Sequence, residues 1–343
     1  MVLSRANTPA TLMAQTSVTN QHSPQVLKRR IALLVSAFVV LGLLILSLCT
    51  GEYSILSHDD GWDMFIAVRI PRTVALILSG AAMSMCGLVM QIITQNRFAE
   101  PTTTGTTEWA GLGLLAIMIV YPSASVLLRM TVAVSFAFLG TMVFFALHRR
   151  VSLRSSLLVP IMGMMLGAIV SAVSTFLALE TNTLQNLSIW FQGSFTSVYT
   201  GQYEILWIIT LAVLGVVVLA DRLTAVGLGE DIATTLGVNY HRVILIATGL
   251  IALATGVVTV VVGSLPFLGL VVPNLISMAF GDHLRQNLPW VCLSGIALVT
   301  IADLLARTII SPFEMPVSVI LGIVGAFVFI ALILRQSRKG GLQ

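Results

Sequence analysis

The chain has 343 residues, of which 57% are apolar and only 9% are charged, and its mean hydropathy is +0.99. This composition excludes a water-soluble domain of that length and indicates an integral membrane protein. The formal net charge is +4, and the three cysteines have no paired spacing, which argues against a disulfide framework or a cysteine-based metal site.

About ten apolar segments are long enough, or nearly so, to cross a bilayer as helices of roughly 20 residues. The predicted fold is therefore all-α, a polytopic membrane protein with about ten transmembrane helices. The predicted spans lie near residues 31–48, 73–93, 105–121, 124–147, 156–179, 203–220, 243–262, 266–280, 288–307 and 316–334. Two prolines fall in the stretch around 266–280, so a short or broken helix surrounded by protein is expected there.

Polar sequence flanks these spans at both ends. The first apolar run begins far from Met1 and is too long for the core of a signal peptide, so a cleavable leader is not expected. Residues 1–30 are predicted to be a disordered cytoplasmic tail, residues 31–335 a single transmembrane domain, and residues 336–343 a second cytoplasmic tail.

The distribution of lysine and arginine predicts the orientation, because cytoplasmic loops carry the excess of these residues. With the N-terminus inside, only four of the 18 fall outside: Arg69, Arg72, Arg129 and Arg307. Both termini are therefore expected in the cytoplasm.

No catalytic constellation is recognisable. A nucleotide-binding P-loop needs a lysine after a glycine-rich turn, and neither Lys28 nor Lys339 fits this pattern. The five histidines lack the spacing of a zinc site, so no metal site is predicted.

Few charges lie within the apolar segments. Those that do are Glu108, Arg129, Asp303 and Arg307, and most of them lie toward a segment end. A pump or ion-driven transporter would place ionisable residues near the middle of the bilayer. The pattern favours a pathway powered from outside the chain, while a secondary transporter and a structural scaffold stay open as alternatives.

The insert GLGEDIATTLGVNYHRV, residues 227–243, separates two long apolar runs on the predicted cytoplasmic side. Glu230 and Asp231 follow Gly229, where the dipole of a short helix favours negative charge, and Leu236 and Gly237 end that helix. A helix and turn of this kind suit a groove on a partner protein. Gly237-Val238-Asn239 is then expected to turn the chain into a second short piece. The insert, about 229–242, is thus predicted to form coupling helices between the membrane domain and a soluble partner; an ordinary solvated loop is the alternative.

Several stretches in order resemble one transporter family. VRIPRTVALILSGAAMSMCGLVMQIITQNRFAEPTTTG resembles its R-x-P-R and N-P-L-A-x-P patterns, and GLGEDIATTLGV resembles L-G-E-x-x-A-x-x-L-G-V. GSLPFLGLVVPNLISMAFGDHL and ADLLARTIISPFEMPVSVILGIVGAF match two further motifs. Over about residues 60–335 the chain resembles the permease subunits of ABC importers for iron-siderophores, haem and cobalamin, the type II importers.

The resemblance implies a fold like that of the cobalamin-importer permease and a place in a bacterial cytoplasmic (inner) membrane. It implies pairing with a second permease copy or a paralogue around a central pathway, surrounded by membrane lipid, and no nucleic acid partner. An ATP-binding subunit would bind ATP and Mg on the cytoplasmic side, so the chain itself would hold no cofactor and would not be an enzyme. An extracytoplasmic substrate-binding protein would deliver the substrate.

The resemblance also implies roles for individual residues. Arg69, Arg72 and Arg307 would dock the binding protein; the alternative for Arg69 and Arg72 is that they anchor helix ends at the membrane interface. Gly229, Glu230, Asp231, Leu236 and Gly237 would form the ATPase coupling element. Asn96 and Phe98 would form part of a cytoplasmic gate, or an ordinary turn after a helix.

This sequence departs from the family pattern at several positions. Arg97 and Phe98 replace the proline and leucine of N-P-L-A, Asn274 replaces histidine, Ser277 replaces arginine and Ala326 replaces a proline. These departures resemble the branch that imports ferric siderophores. An importer permease for haem or cobalamin is the alternative within the family.

Overall fold

The computed structural model describes residues 24–50, 61–150, 158–311 and 313–340, and every regular element among them is helical. The predicted tail residues 1–23 and 341–343 lie outside the described residues. The α-helices are α1 (Pro24–Cys49), α2 (Gly61–Met64), α3 (Ile70–Ile93), α4 (Thr106–Val120), α5 (Val126–Arg150), α6 (Leu158–Glu180), α7 (Leu184–Phe191), α8 (Ile209–Gly227), α9 (Glu230–Thr235), α10 (Tyr240–Val261), α11 (Leu268–Phe280), α12 (Leu284–Thr308) and α13 (Val317–Gly340).

Eight helical stretches of the described residues are long and apolar enough to cross a membrane, and α4 and α11 are shorter apolar helices. Together they correspond to the ten predicted spans, which confirms a polytopic all-α membrane fold. The short helix expected near 266–280 is α11, 13 residues long with Pro273 inside it.

Three boundaries differ from the prediction. Helix α1 begins at Pro24, so residues 24–30 are helical rather than part of a disordered tail. Helix α13 continues to Gly340, beyond the predicted start of the second tail. The second span begins at Trp62, because α2 and a π-helix (Phe65–Arg69) run without a break into α3. Polar residues at a helix end lower the hydropathy of the segment, so the predicted span ends there although the helix continues.

Helix α3 is the central element of the bundle and is buried along most of its length. It packs against α8, α10, α11 and α12. Two of these contacts bring backbones together at glycines: a Cβ on Gly80 would lie 2.9 Å from the Gly295 carbonyl oxygen, and one on Gly87 would lie 2.1 Å from that of Gly269. Small residues are what allow helices to approach so closely in a membrane.

The segment before α11 is irregular backbone held by other parts of the protein. Gly263 has φ +95 and Phe267 has φ +62, both in the left-handed region. The Val262 carbonyl accepts a hydrogen bond from the Ser194 amide at 2.9 Å, and the Phe267 amide donates to the Glu100 carboxylate at 2.9 Å. Non-helical backbone at membrane depth requires partners of this kind, because lipid offers none.

Replacing Gly87 by alanine is expected to loosen the contact between α3 and α11. The new methyl group would meet backbone rather than a movable side chain, and overpacking of this kind costs about 1–3 kcal/mol. The melting temperature of the purified protein in detergent should fall by several degrees. Gly249→Ala in α10, where a Cβ meets nothing within 4 Å, is the control and should cause no loss; equal losses in both variants would contradict the packing assignment.

Candidate functional site

Helix α3 separates the two groups of predicted site residues. Its 24 residues extend over about 36 Å, with Arg72 near one end and the turn before Asn96 just beyond the other. Arg29 at the start of α1 donates to the Phe280 carbonyl, and Arg335 near the end of α13 contacts Met278. Both ends of the described chain therefore lie at the same end of the bundle as the Asn96 turn.

A buried carboxylate lies at the centre of the Arg72 end. Asp303 on α12 is fully buried and pairs with Arg72 Nη2 through Oδ1 at 2.8 Å. Its other oxygen, Oδ2, pairs with Arg307 Nη2, also at 2.8 Å. Arg307 also donates to the Thr50 carbonyl at 2.8 Å and to the Ser47 hydroxyl at 2.7 Å. The network thus joins α1, α3 and α12.

Glu314 extends this network into the segment between α12 and α13. Both of its oxygens accept hydrogen bonds at 3.0 Å from Arg72, and Oε2 accepts a further one from the Thr196 hydroxyl at 2.6 Å. Burial alone would raise the pKa of the Glu314 carboxyl, but the hydrogen bonds from Arg72 and Thr196 outweigh it and leave the pKa below its usual value.

The structure places the three predicted docking arginines at one end but in different surroundings. The Arg72 and Arg307 side chains are only 9% and 8% exposed, so a direct contact with another protein would require their ion pairs to open. Arg69 is half-buried at the end of the π-helix and donates to the Leu48 carbonyl at 2.9 Å. The adjoining turn of the π-helix accepts the Thr200 amide through the Ala67 carbonyl at 3.0 Å.

The predicted short helix of the insert is present as α9. Gly229, with φ +107, precedes it, and Gly237, with φ +78, follows it. The Gly237 amide donates to the Thr234 carbonyl and the Val238 amide to the Ala233 carbonyl, which is the Schellman pattern that ends a helix at a left-handed residue. Both glycines are therefore required by the backbone.

The second short helix implied by a coupling element over 229–242 is absent from the described structure. Asn239 accepts the Arg242 amide at 3.0 Å and so caps α10, which runs unbroken from Tyr240 to Val261. Residues 240–242 are the first turn of a membrane helix because this cap follows directly on the Gly237 turn.

One face of the α9 region is apolar and exposed. Leu228, Ile232 and Leu236 follow each other at helical spacing and are exposed, whereas Ala233 faces inward and is fully buried. Beside this face, the Glu230 carboxylate lies 3.5 Å from Arg149 Nη2 and 3.6 Å from His241 Nδ1. A mixed apolar and charged surface outside the bilayer is typical of a contact site for another protein.

The predicted gate residues lie in the turn between α3 and α4. Asn96 Oδ1 accepts the Phe98 amide at 2.8 Å, which fixes the turn. Phe98 is buried and makes an edge-to-face contact with Phe329 on α13, with ring centroids 5.5 Å apart. Here Phe98 closes one side of a cavity of about 560 Å³ that also has Asn274 and Arg335 in its wall.

Four of the departures from the family pattern lie in the wall of this cavity: Arg97, Phe98, Asn274 and Ser277. Asn274 donates to the Arg97 carbonyl at 2.8 Å, and the Arg97 side chain pairs with Asp282 at 2.6 Å. The Ser277 hydroxyl donates to the same Asp282 carboxylate. The departures at 97, 274 and 277 are thus mutually compatible rather than independent.

Sequence reasoning missed the buried Glu100 and underrated the half-buried Glu108. Glu100 is fully buried in the turn before α4, and its carboxylate accepts hydrogen bonds from the Phe267 amide and, at 2.5 Å, from the Thr102 hydroxyl. Glu108 lies in the first turn of α4 and has a buried oxygen without a hydrogen-bond partner. Because Glu100 lies between two predicted spans, its sequence position suggests an exposed loop residue. Its burial becomes evident only in the structure, where the turn between α3 and α4 is enclosed by the protein. Among the described residues, no group of three or more His, Cys, Asp or Glu is placed to hold a metal ion.

The sequence matches the FecCD transport family over residues 30–335. The chain belongs to this family. It is 56% identical over 310 residues to the petrobactin import system permease protein FatD of Bacillus anthracis, covering 90% of this chain and 93% of that protein. It is 39% identical over 289 residues to the ferric-anguibactin transport system permease protein FatD of Vibrio anguillarum, covering 84% of this chain and 92% of that protein.

The fold of this FecCD chain also occurs in a solved structure. A chain described as an inward-facing conformation of a metal-chelate type ABC transporter superposes with a TM-score of 0.76 at 24% identity, covering 89% of this chain and 99% of that one. The resemblance inferred from the ordered motifs is therefore confirmed at the level of family and fold.

Replacing Asp303 by asparagine is expected to destabilise the fold strongly. The change leaves two nearly buried arginines with only Glu314 as a charged partner, and breaking a buried pair costs about 3–5 kcal/mol. The melting temperature in detergent should fall far more than for Asp221→Asn, which breaks the exposed pair of Asp221 with Arg285 and should change little. Similar small shifts in both variants would show that the network is not structural.

Proposed function

We propose that this chain is the membrane-spanning permease subunit of an ATP-driven importer of ferric siderophores. The observation that carries the proposal is the 56% identity over 90% of the chain to a petrobactin import permease. The ferric-anguibactin relative supports the same substrate class. Energy and most selectivity come from other subunits, and this chain supplies half of the pathway.

In this proposal α9 transmits force from a separate ATP-binding subunit. The exposed Leu228, Ile232 and Leu236 would insert into a groove of that subunit, and Glu230 would set the register through charge. ATP and Mg are bound by that subunit, and this chain needs no cofactor of its own. Because α9 is joined to α8 and α10 by tight turns, a shift of α9 would move both membrane helices.

The charge distribution supports the proposed orientation, with α9 and both chain ends on the cytoplasmic side of a bacterial inner membrane. Helices α1, α6 and α13 are the least buried of the long spans. We assign their exposed faces to lipid and to a second permease, either a copy of this chain or a paralogue. Phe98, held by the Asn96 turn, would narrow the cytoplasmic end of the pathway between the two chains.

At the opposite end an extracytoplasmic binding protein would deliver the substrate. Arg69 is the arginine best placed for direct contact, since it lies on the π-helix near the surface. Arg72 and Arg307 would contribute by holding Glu314 and the ends of α1 and α12 in place.

The alternative functions make different predictions. An ion-driven secondary transporter predicts uptake without a partner ATPase, and an importer for haem or cobalamin predicts uptake of those molecules instead.

Leu236→Asp and Glu230→Arg are expected to uncouple ATP hydrolysis from transport. Each change puts a charge of the wrong kind on the proposed ATPase contact, so ATP-dependent uptake of radioiron-labelled siderophore should fall by roughly tenfold or more. The assay uses proteoliposomes that contain the chain, its ATP-binding subunit and the binding protein. Ile310→Asp, at an exposed apolar position outside the α9 face, is the control.

Three results would count against this proposal. Wild-type uptake that needs an ion gradient but no ATPase would favour a secondary transporter. Uptake of haem or cobalamin alone would change the substrate class. Normal coupling in both α9 variants would make α9 an ordinary surface helix.

Arg69→Glu is expected to slow docking of the binding protein. Charges at the rim of an interface act mainly on the association rate, so the rate constant should fall roughly tenfold and depend less on salt. Surface plasmon resonance at low and high ionic strength measures both effects. Arg129→Glu, at a second arginine of the predicted outer set, is the control; equal effects in both variants would reduce the role of Arg69 to general electrostatics.

A further inference from the structure

The Glu108 side chain lies in an unusual environment. It belongs to the first turn of α4, and Val120, at the outer end of that helix, is twelve residues away, a distance of about 18 Å. With Val120 taken as the outer edge of a hydrocarbon core about 30 Å thick, the carboxyl lies well inside the membrane. Its Oε2 atom is buried and has no hydrogen-bond partner.

The Glu108 carboxyl faces a cavity of about 310 Å³ between α4, α6 and the end of α7. The cavity wall also contains Thr102, Met164, Gly167, Ala168, Ser171 and Phe191. No lysine, arginine or histidine lines it, so among these residues nothing neutralises a charge on Glu108. Gly167 lies directly against the carboxyl, since a Cβ there would be 3.4 Å from the Glu108 carboxyl carbon.

The other groups in the wall suit a positively charged ligand. Ser171 and Thr102 bring hydroxyl groups that can accept hydrogen bonds, and the Phe191 ring offers a π-face. That ring packs directly on α4 at Gly111, where an added Cβ would lie 2.3 Å from it. The Phe191 ring is thus held against α4 at Gly111, three residues along that helix from Glu108.

The cavity is accessible from outside the chain. Met164, Ala168 and Ser171 on α6 are exposed, and α6 is one of the helices whose exposed faces are assigned above to lipid and to the second permease. Acidic residues at this depth almost always face a water-filled cavity or a partner group rather than lipid. The exposed hydroxyl of Ser171 beside the carboxyl fits a wall of the pathway.

We propose that Glu108 and this cavity bind an alkylammonium group on the transported substrate as it passes through the membrane. This inference rests on the proposed function, because it assigns a substrate chemistry to that pathway. The ammonium group donates to Glu108 Oε2 and to the Ser171 and Thr102 hydroxyls, and it stacks against Phe191. The importer therefore takes cationic ferric chelates in preference to neutral ones of the same shape.

The direct test measures binding without transport. The melting temperature of the purified importer complex is followed while n-butylammonium chloride is added, with sodium chloride and n-butanol as parallel titrations. The wild-type complex should be stabilised by butylammonium beyond both controls, as expected for a ligand of the folded state. Glu108→Gln should remove this shift, and Glu108→Asp should keep part of it. Glu180→Gln is the control and should leave the shift unchanged, because Glu180 is an exposed acid at the end of α6, away from the cavity.

A transport arm links the site to the substrate. Each ferric chelate that the wild-type importer takes up is prepared with a free amino group and with that group acetylated. Glu108→Gln should raise the KM for the amino form roughly tenfold, the scale of a lost charge-assisted contact, and leave uptake of the acetylated form unchanged.

The outcomes separate the two proposals. If no ferric chelate is taken up, the proposed importer function is wrong. The butylammonium titration still tests whether the Glu108 cavity binds an alkylammonium group. If the wild type shows no butylammonium shift, or Glu108→Gln keeps it, the inference is wrong. If Glu108→Gln slows both forms of the chelate equally, Glu108 is a structural residue and not a ligand.

Discussion

The end of the bundle that contains Arg72 depends on the buried carboxylate of Asp303. Two arginines from different helices approach it at 2.8 Å, and neither could remain in this nearly dry position alone, because an unpaired buried charge is far more costly than a paired one. Without Asp303, Arg72 and Arg307 would repel each other across the contact between α3 and α12. The ion pairs therefore determine how α1, α3 and α12 meet, and hence the shape of the surface that Arg69 borders.

The same requirement for internal partners governs the irregular backbone. The turn between α3 and α4 and the segment before α11 each join a helix long enough to span a membrane to a short apolar helix that is not, namely α4 or α11. They satisfy each other: Glu100 from the first accepts the Phe267 amide of the second. The close approach of Gly87 to Gly269 brings the two segments within reach. The turn between α3 and α4 is thus joined to α11 and the segment before it by hydrogen bonds and glycine packing.

The sequence was sufficient to predict the elements that a bilayer dictates. Hydropathy predicted the ten spans, prolines predicted the short α11, and paired glycines predicted α9 between Gly229 and Gly237. The partners of charged residues could not be predicted, because Asp303 and Glu314 lie 231 and 242 positions from Arg72 and nothing local reveals the contact. An arginine that looked like a free charge at a helix end is consequently an internal residue.

The two glutamates of the α3 to α4 region, Glu100 and Glu108, show how structure distinguishes a scaffold residue from a candidate binding residue. Glu100 has its hydrogen bonds supplied by the Thr102 hydroxyl and by the backbone before α11, so its cost of burial is offset within the chain. Glu108, eight positions later, faces a cavity with one oxygen unpartnered. Membrane proteins seldom keep such a group unless something outside the chain satisfies it. The unpartnered oxygen, rather than the presence of an acid in a membrane helix, is what distinguishes Glu108 from Glu100.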